Sequence, residues 1–411
     1  MKNNPFSSDN FTSIWLKHFH KAKKGIVFEF ISDLLFIKHP KLPLFINVGK
    51  TLSKGIYYTL SSKISGDFKR KVFLIYDVPA YFNLNTSPKN NLKVHRIKQY
   101  KGFSVGINEH NDFNAYMSAT FKKSSRYKLK KYKKRLELSF KITYKMFHGD
   151  ISKTEYNHIF DSFKILLEKR FEEKCTSNNN LNPDEWNFYK EVAYPMLLEK
   201  KASLFVIYDD NVPIGVTLNY FSNSILFDAI TVFDINYAKF HLGSITIMKL
   251  IEWSFENDIR TFDFSKGYFD YKKRWSNNTY NFEYHIYYDA SSIKATGIAF
   301  GLKQLFKLKQ SLREKNINDK LHLLTYSLKN KSSNKPIKTK HTLLDLEYNT
   351  DLRAFEKINP QTSKYDVLKT TLFDFLYLKQ EKRYETEVFK VSDDTYIIKG
   401  QTNISKVFLH P

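Results

Sequence analysis

Phe262-Asp263-Phe264-Ser265-Lys266-Gly267, followed by Tyr271-Lys272-Lys273-Arg274-Trp275, is the stretch on which the fold of this chain turns. Alternation along a strand puts Phe262 and Phe264 on one face and Asp263 on the other. A carboxylate at the end of a short strand flanked by aromatics is a candidate general base, because partial burial raises its pKa toward working pH. The same residue, taken alone, reads more readily as a strand-end carboxylate bonded to nearby backbone or to Lys272.

Upstream, residues 202–208, 214–221 and 225–233 read as strands. They are joined by Asp209-Asp210-Asn211 and Ser222-Asn223-Ser224, residues suited to tight turns, so an antiparallel meander is expected. An irregular link over 235–243 leads to a helix over 244–257 with Ile247, Leu250, Ile251, Ser254 and Phe255 inward. Gly243, just ahead of that helix, allows a ligand close to the backbone. The first helical amides lack internal partners and sit at the positive end of the dipole. Leu242-Gly243-Ser244 is therefore a candidate pyrophosphate site. Capping alone also places Gly and Ser at helix starts.

Further out, residues 120–136 hold nine basic residues and no acidic one, with Phe121, Leu129, Tyr132 and Leu136 at helical spacing. This predicts a basic amphipathic helix. A second helical pattern covers 152–175. Asn182 and Pro183 suit the cap and first position of a third helix. Residues 280–288 alternate as a last strand. Residues 1–115 read as an α/β region, with a helix near 11–19 and β-rich runs at 26–31 and 72–76. Residues 291–340, with 12 basic and 2 acidic residues, read as a basic helix and linker. Residues 341–411 read as a small appended domain.

Lys and Arg number 66 against 42 Asp and Glu, a net charge of +24. Such a chain attracts polyanions: phosphorylated ligands, anionic membrane surfaces, nucleic acid. Lys- and Asn-rich codon usage explains the same bias. The single Cys175 excludes an intrachain disulfide and a cysteine-based metal site, and no metal is expected. The early apolar run 25–37 contains Glu29 and Asp33 and is too short to span a bilayer, so a cytoplasmic protein is expected.

The order of these pieces resembles the GNAT acyltransferases of the CelD-like type, which share a fold with Fem peptidyl transferases. The resemblance rests on Arg135-Leu136-Glu137, Pro213 with Gly215, Asp228, Gly243, Asp263-Phe264 with Gly267, and Tyr271-Lys272, over roughly residues 116–290. Phe-His-Leu-Gly stands where Ser-Pro-Gly is usual, Ser265 where glycine is common, and Asn211 where glycine is usual. The resemblance implies an α+β fold, a mixed and mostly antiparallel sheet flanked by helices. Residues 116–290 would be the catalytic domain and residues 1–115 a degenerate GNAT-like half of a tandem, Fem-like arrangement.

It also implies an N-acyltransferase with acetyl-CoA or another acyl-CoA as cosubstrate. The acceptor would be a small-molecule amine, such as an amino sugar of surface polysaccharide synthesis. Asp263, Asp228 and Lys272 would be catalytic. Val232, Phe233, Leu242, Gly243 and Ser244 would bind the cosubstrate. Lys272 and Arg274 are candidates for an acceptor phosphate, and Tyr268 and Tyr271 for stacking on a sugar. Fem-type relatives take aminoacyl-tRNA, which the basic helix would suit, but no heptads for their coiled-coil arm are present. A basic scaffold binding RNA or a membrane surface through 122–135 and 294–331 is the non-enzymatic alternative; nucleic acid is the weaker expectation for a partner.

Overall fold

The computed structural model describes residues 4–62, 66–86, 90–174, 178–315 and 340–410. Strands β1 (Ile26–Phe28), β2 (Ile31–Lys38), β3 (Leu44–Asn47), β4 (Thr59–Leu60), β5 (Val72–Pro79) and β6 (Leu92–Gly106) come from the N-terminal region. Strands β7 (Ile142–Phe147), β8 (Ala202–Asp209), β9 (Val212–Ser222), β10 (Ile225–Phe233), β11 (Thr261–Lys266) and β12 (Asn278–Asp289) follow.

Among the described residues these twelve form one sheet, in the order β1-β2-β3-β5-β12-β6-β11-β10-β9-β8-β7, with β4 paired to β2. Pairing is antiparallel except for β3 with β5 and β10 with β11. Each end of the sheet is thus an antiparallel meander leading to one parallel pair, with β12 and β6 between. The long strand β6 runs beside both β11 and β12, so hydrogen bonding continues across residue 115. The β-rich run at 26–31 is broken at Glu29-Phe30, where the chain turns from β1 into β2.

The expected meander is β8-β9-β10. Its turns place Asp210 and Asn223 at φ of 54° and 50°, a conformation their short polar side chains tolerate. Helices α1 (Asp9–Phe19), α2 (Phe113–Thr120), α3 (Lys123–Ser139), α4 (Lys153–Glu173), α5 (Pro183–Leu198), α6 (Leu242–Glu256), α7 (Asp270–Trp275) and α8 (Ile293–Glu314) flank the sheet. The basic helix is α3; it buries Leu129 and Leu136 and leaves its lysine-rich side in water. Pro183 opens α5 as expected, but the Asn182 side chain caps no helix amide. Its Nδ2 donates instead to the Glu185 carboxylate at 3.5 Å.

Residues 340–410 form a separate five-stranded antiparallel sheet with helix α9 (Lys369–Lys379). This unit packs on α3 and on the link before α6. Arg135 Nη1 donates to the Tyr377 carbonyl at 2.8 Å, and Arg383 Nη1 to buried Asp209 at 2.7 Å. The linker expected between α8 and this unit falls mostly outside the described residues, as do Cys175 and the start of the polar linker after α4.

One aromatic cluster anchors the N-terminal half. Phe73 on β5 is fully buried, with the rings of Phe28, Phe30, Phe36 and Phe45 centred 4.6–5.5 Å away. Phe73→Ala leaves a cavity among rigid rings and is expected to destabilise the chain by about 3–5 kcal/mol. Urea unfolding measures this, and a loss below about 1 kcal/mol would mean the cluster collapses around the gap.

Candidate functional site

The site lies where the second parallel pair comes apart. Strands β10 and β11 pair at Ile225↔Thr261, Leu226↔Phe262 and Phe227↔Asp263, and both run on beyond that point unpaired with each other. On its other side β10 has a bulge: Asp228 opposes Asn219 and Ile230 opposes Leu218, leaving Ala229 over. A bulge re-aims the strand and the side chains beside it. Beside the parted end of β10 lies a cavity of about 320 Å3, lined by Asp228 and Phe233 of β10, Gly243 and Ser244 of α6, Arg170 of α4, and Tyr271 and Arg274 of α7, among others. A larger hollow of about 490 Å3 among α2, α3 and α6 shares none of these residues.

At one end of the cavity the chain enters α6 through a 3-10 segment, Ile235–Phe240, and through His241 at φ 54°. The His241 ring stacks on Tyr132 of α3 with centroids 3.9 Å apart. The helix begins at Leu242, so Gly243 lies inside the first turn and not ahead of it. The amides of Ser244 and Ile245 donate to the His241 carbonyl at 2.9 and 3.2 Å. Of the three amides expected to bind phosphate, Ser244's is thus already bonded. Those of Leu242 and Gly243 meet no backbone acceptor among the described residues. A Cβ on Gly243 would sit 2.5 Å from the Phe233 ring, so only glycine brings this turn so close.

Arg170 of α4 also lies over that ring, its guanidinium 4.3 Å from the centroid. Its Nη1 is buried without a hydrogen-bond partner among the described residues. An orphaned guanidinium nitrogen beside two free helix-start amides suits a diphosphate.

At the other end is a cluster of buried charges. Asp263 is fully buried. It accepts hydrogen bonds from the Tyr81 hydroxyl at 2.7 Å, the Tyr280 hydroxyl at 2.6 and 2.7 Å, and the Ser265 amide at 2.6 Å. Burial pushes its carboxyl up to about 6, against the pull of these bonds and of Lys272. Where it bonds Asp263, Ser265 takes φ 61°, a left-handed conformation that glycine enters without strain.

Asp228 is buried beside the cavity and accepts from Thr231 Oγ1 at 2.8 Å. Desolvation raises its pKa, while Thr231, Lys272 and Lys54 pull it back. Lys272 donates to the carbonyls of Phe264 at 2.6 Å and Lys266 at 3.0 Å, and burial pushes it down to about 8. It is no direct partner of Asp263; its ammonium pins the irregular end of β11. Lys266 pairs with Asp77 at 2.6 Å, and Gln99 and Ser53 complete that carboxylate's bonds.

Asp263, Asp228 and Lys272 therefore share one neighbourhood, and Phe233, Gly243 and Ser244 line the cavity. Val232 does not: it points into the main core and is fully buried. The Leu242 side chain is likewise core, leaving only its amide for a ligand. Sequence reading missed Tyr81, Tyr280, Arg170 and the Asp77–Lys266 pair. Tyr81 lies 182 residues from Asp263, and no local pattern joins them.

The raised pKa of Asp263 has a sign that can be checked. Folded Asp263 keeps its proton up to about pH 6, while the unfolded chain releases it near the ordinary value of 3.8. Between these values the native state binds more protons, so stability falls as pH rises through that window. Unfolding free energies from pH 4 to 6.5, compared with Asp263→Asn, are expected to show a relative loss on the order of 3 kcal/mol. A wild-type slope matching the variant's would place the Asp263 pKa at its ordinary value.

Residues 119–273 match the family described as acetyltransferase (GNAT) domain. No curated protein matches the sequence significantly. Among solved structures, the chain is similar to a conserved protein of unknown function from Bacteroides thetaiotaomicron, at 8% identity and a TM-score of 0.47, covering 69% of this chain and 91% of that one. It is also similar to FemX, at 13% identity and TM-score 0.42, covering 61% and 83%. A third is L-PGS from Bacillus licheniformis, at 10% and 0.42, covering 72% and 97%. The mixed, mostly antiparallel sheet between helices is the expected fold class. Residues 119–273 thus match an acetyltransferase (GNAT) domain by sequence, and on that match the protein is an acyltransferase enzyme.

Proposed function

We propose that the chain transfers an acyl group from acyl-CoA, acetyl-CoA in the first instance, to the amino group of a small molecule such as an amino sugar. One observation carries this reading: a cavity beside a parted parallel strand pair, lined by buried Asp228, with Asp263 and Lys272 behind it, and by a glycine-bearing helix start. Acyl-CoA would supply an activated thioester carbonyl. The Leu242 and Gly243 amides and Arg170 hold its diphosphate, and Arg274 adds charge nearby. Phe233 forms the wall against which Gly243 lets the helix close.

An amine attacks only when deprotonated, so a nearby base must take its proton. Asp228 is open to the cavity. Asp263 is sealed, and its basicity reaches the cleft only through the hydroxyls of Tyr81 and Tyr280. Lys272 acts by holding the carbonyls of Phe264 and Lys266, which keeps the end of β11 away from β10. Tyr271, at the rim, is placed to meet the acceptor.

The lysine-rich face of α3 favours a second reading on the same fold, with aminoacyl-tRNA as donor. Thermal shift with acetyl-CoA, CoA and bulk tRNA at two salt concentrations separates them, since a ligand of the native state raises the midpoint. Stabilisation by CoA supports the first reading; salt-sensitive stabilisation by tRNA alone supports the second. Gly243→Ala is expected to weaken CoA binding roughly tenfold or more, because the new methyl displaces Phe233. Asp263→Asn should keep CoA binding and lower turnover by about 100- to 10,000-fold. An unchanged rate in that variant would take Asp263 out of the proton path.

A further inference from the structure

Helix α8 is held to the sheet along one side only. Ala295, Ala299 and Phe306 are buried, and the Phe306 ring stacks on Tyr284 at 4.0 Å. Arg313 Nη1 donates to the Gln99 carbonyl at 2.9 Å, with its guanidinium 3.8 Å above the Tyr100 ring. The opposite side, where polar residues are expected on a water-facing helix, carries Ile293, Phe300 and Leu308, exposed by 93%, 55% and 58%. Leu305 beside them is 46% exposed. Gly297 and Gly301 lie between, and a Cβ on either would meet nothing within 4 Å, so this side is open.

Single exposed apolar residues need no explanation, but a row of them on one helix face marks an interaction surface. The charge around the row is of one sign. Lys294, Lys303 and Lys307 flank it, Lys309 lies toward the anchored side over the Phe306 ring, and the helix has a single acidic residue, Glu314, at its end. None of these four lysines forms an ion pair among the described residues. Two copies of α8 face to face would bring lysines against lysines. A nucleic acid would meet the lysines, but aliphatic Ile293 and Leu308 offer its bases no aromatic surface to stack on. An interface of acyl chains and anionic headgroups satisfies both parts at once.

We propose that α8 docks the protein on an anionic lipid surface, with Ile293, Phe300 and Leu308 at the headgroup–acyl boundary and the lysines on lipid phosphates. The helix does not span the bilayer; it lies in the interface with the sheet behind it. This docking does not depend on the acyl-transfer chemistry.

Co-flotation of the full chain with vesicles of phosphatidylcholine alone, and of phosphatidylcholine with phosphatidylglycerol, tests it. Binding is expected only to the phosphatidylglycerol vesicles and should weaken with added salt. The Phe300→Glu/Leu308→Glu variant should lose binding with an unchanged thermal midpoint, since both side chains are in water. Lys303→Gln/Lys307→Gln should lower the partition coefficient roughly thirtyfold. The proposal is overturned by failure to float with phosphatidylglycerol vesicles, or by flotation that survives Phe300→Glu/Leu308→Glu. It is equally overturned by dimerisation of the wild-type chain that this variant abolishes, or by bulk tRNA binding that requires the apolar row.

Discussion

The separation of β10 from β11 after Phe227↔Asp263 is the constraint on which the rest of the molecule depends. A parallel pair that stayed zipped would bond its own amides and leave no room between the strands. Several features keep it open. The bulge at Ala229 turns β10 aside. Ser265 in a left-handed conformation, with Gly267 at φ 109°, breaks the regular course of β11. Lys272 bonds the carbonyls of Phe264 and Lys266, which would otherwise be free to seek a neighbouring strand.

Holding the gap open requires burying charge, and the fold answers this with partners drawn from far along the chain. An isolated ionised carboxylate in such a place is costly. Asp263 is supplied with two tyrosine hydroxyls and one amide, Asp77 with Lys266, Gln99 and Ser53, and Asp228 with Thr231. Tyr81, Asp77, Gln99 and Ser53 all belong to the N-terminal region. That region therefore completes the site as well as extending the sheet.

The C-terminal unit acts on the other end of the cavity. Thr370 bonds Asn236 at 2.8 Å, Lys239 pairs with Asp374 at 3.3 Å, and Tyr377 lies under Arg135. Asn236 and Lys239 belong to the 3-10 segment that delivers the chain to His241, and Tyr132, one turn before Arg135, stacks on His241. Residues 340–410 thus brace the start of α6 against α3, where the free amides are.

Local pattern was enough for much of this. Period-two runs with Asp-Asp-Asn and Ser-Asn-Ser between them define the meander, and 3.6-residue spacing defines α3, α4 and α6, because these signals depend only on neighbours in sequence. The same residues marked Asp263, Asp228 and Gly243 as candidates. What the chain's order cannot contain is which distant groups meet. Phe-His-Leu-Gly moved the start of α6 ahead of Gly243, because His241 takes the left-handed conformation against Tyr132. Val232 and Leu242 turned inward because the sheet and helix are buried on both sides there. The burial that raises the Asp263 pKa, the hydroxyls that satisfy its carboxylate, and the orphaned nitrogen of Arg170 exist as site features only once strands and helices separated by many residues are packed together. Burial and long-range hydrogen bonding are properties of that packing, so they could be read only from the tertiary structure.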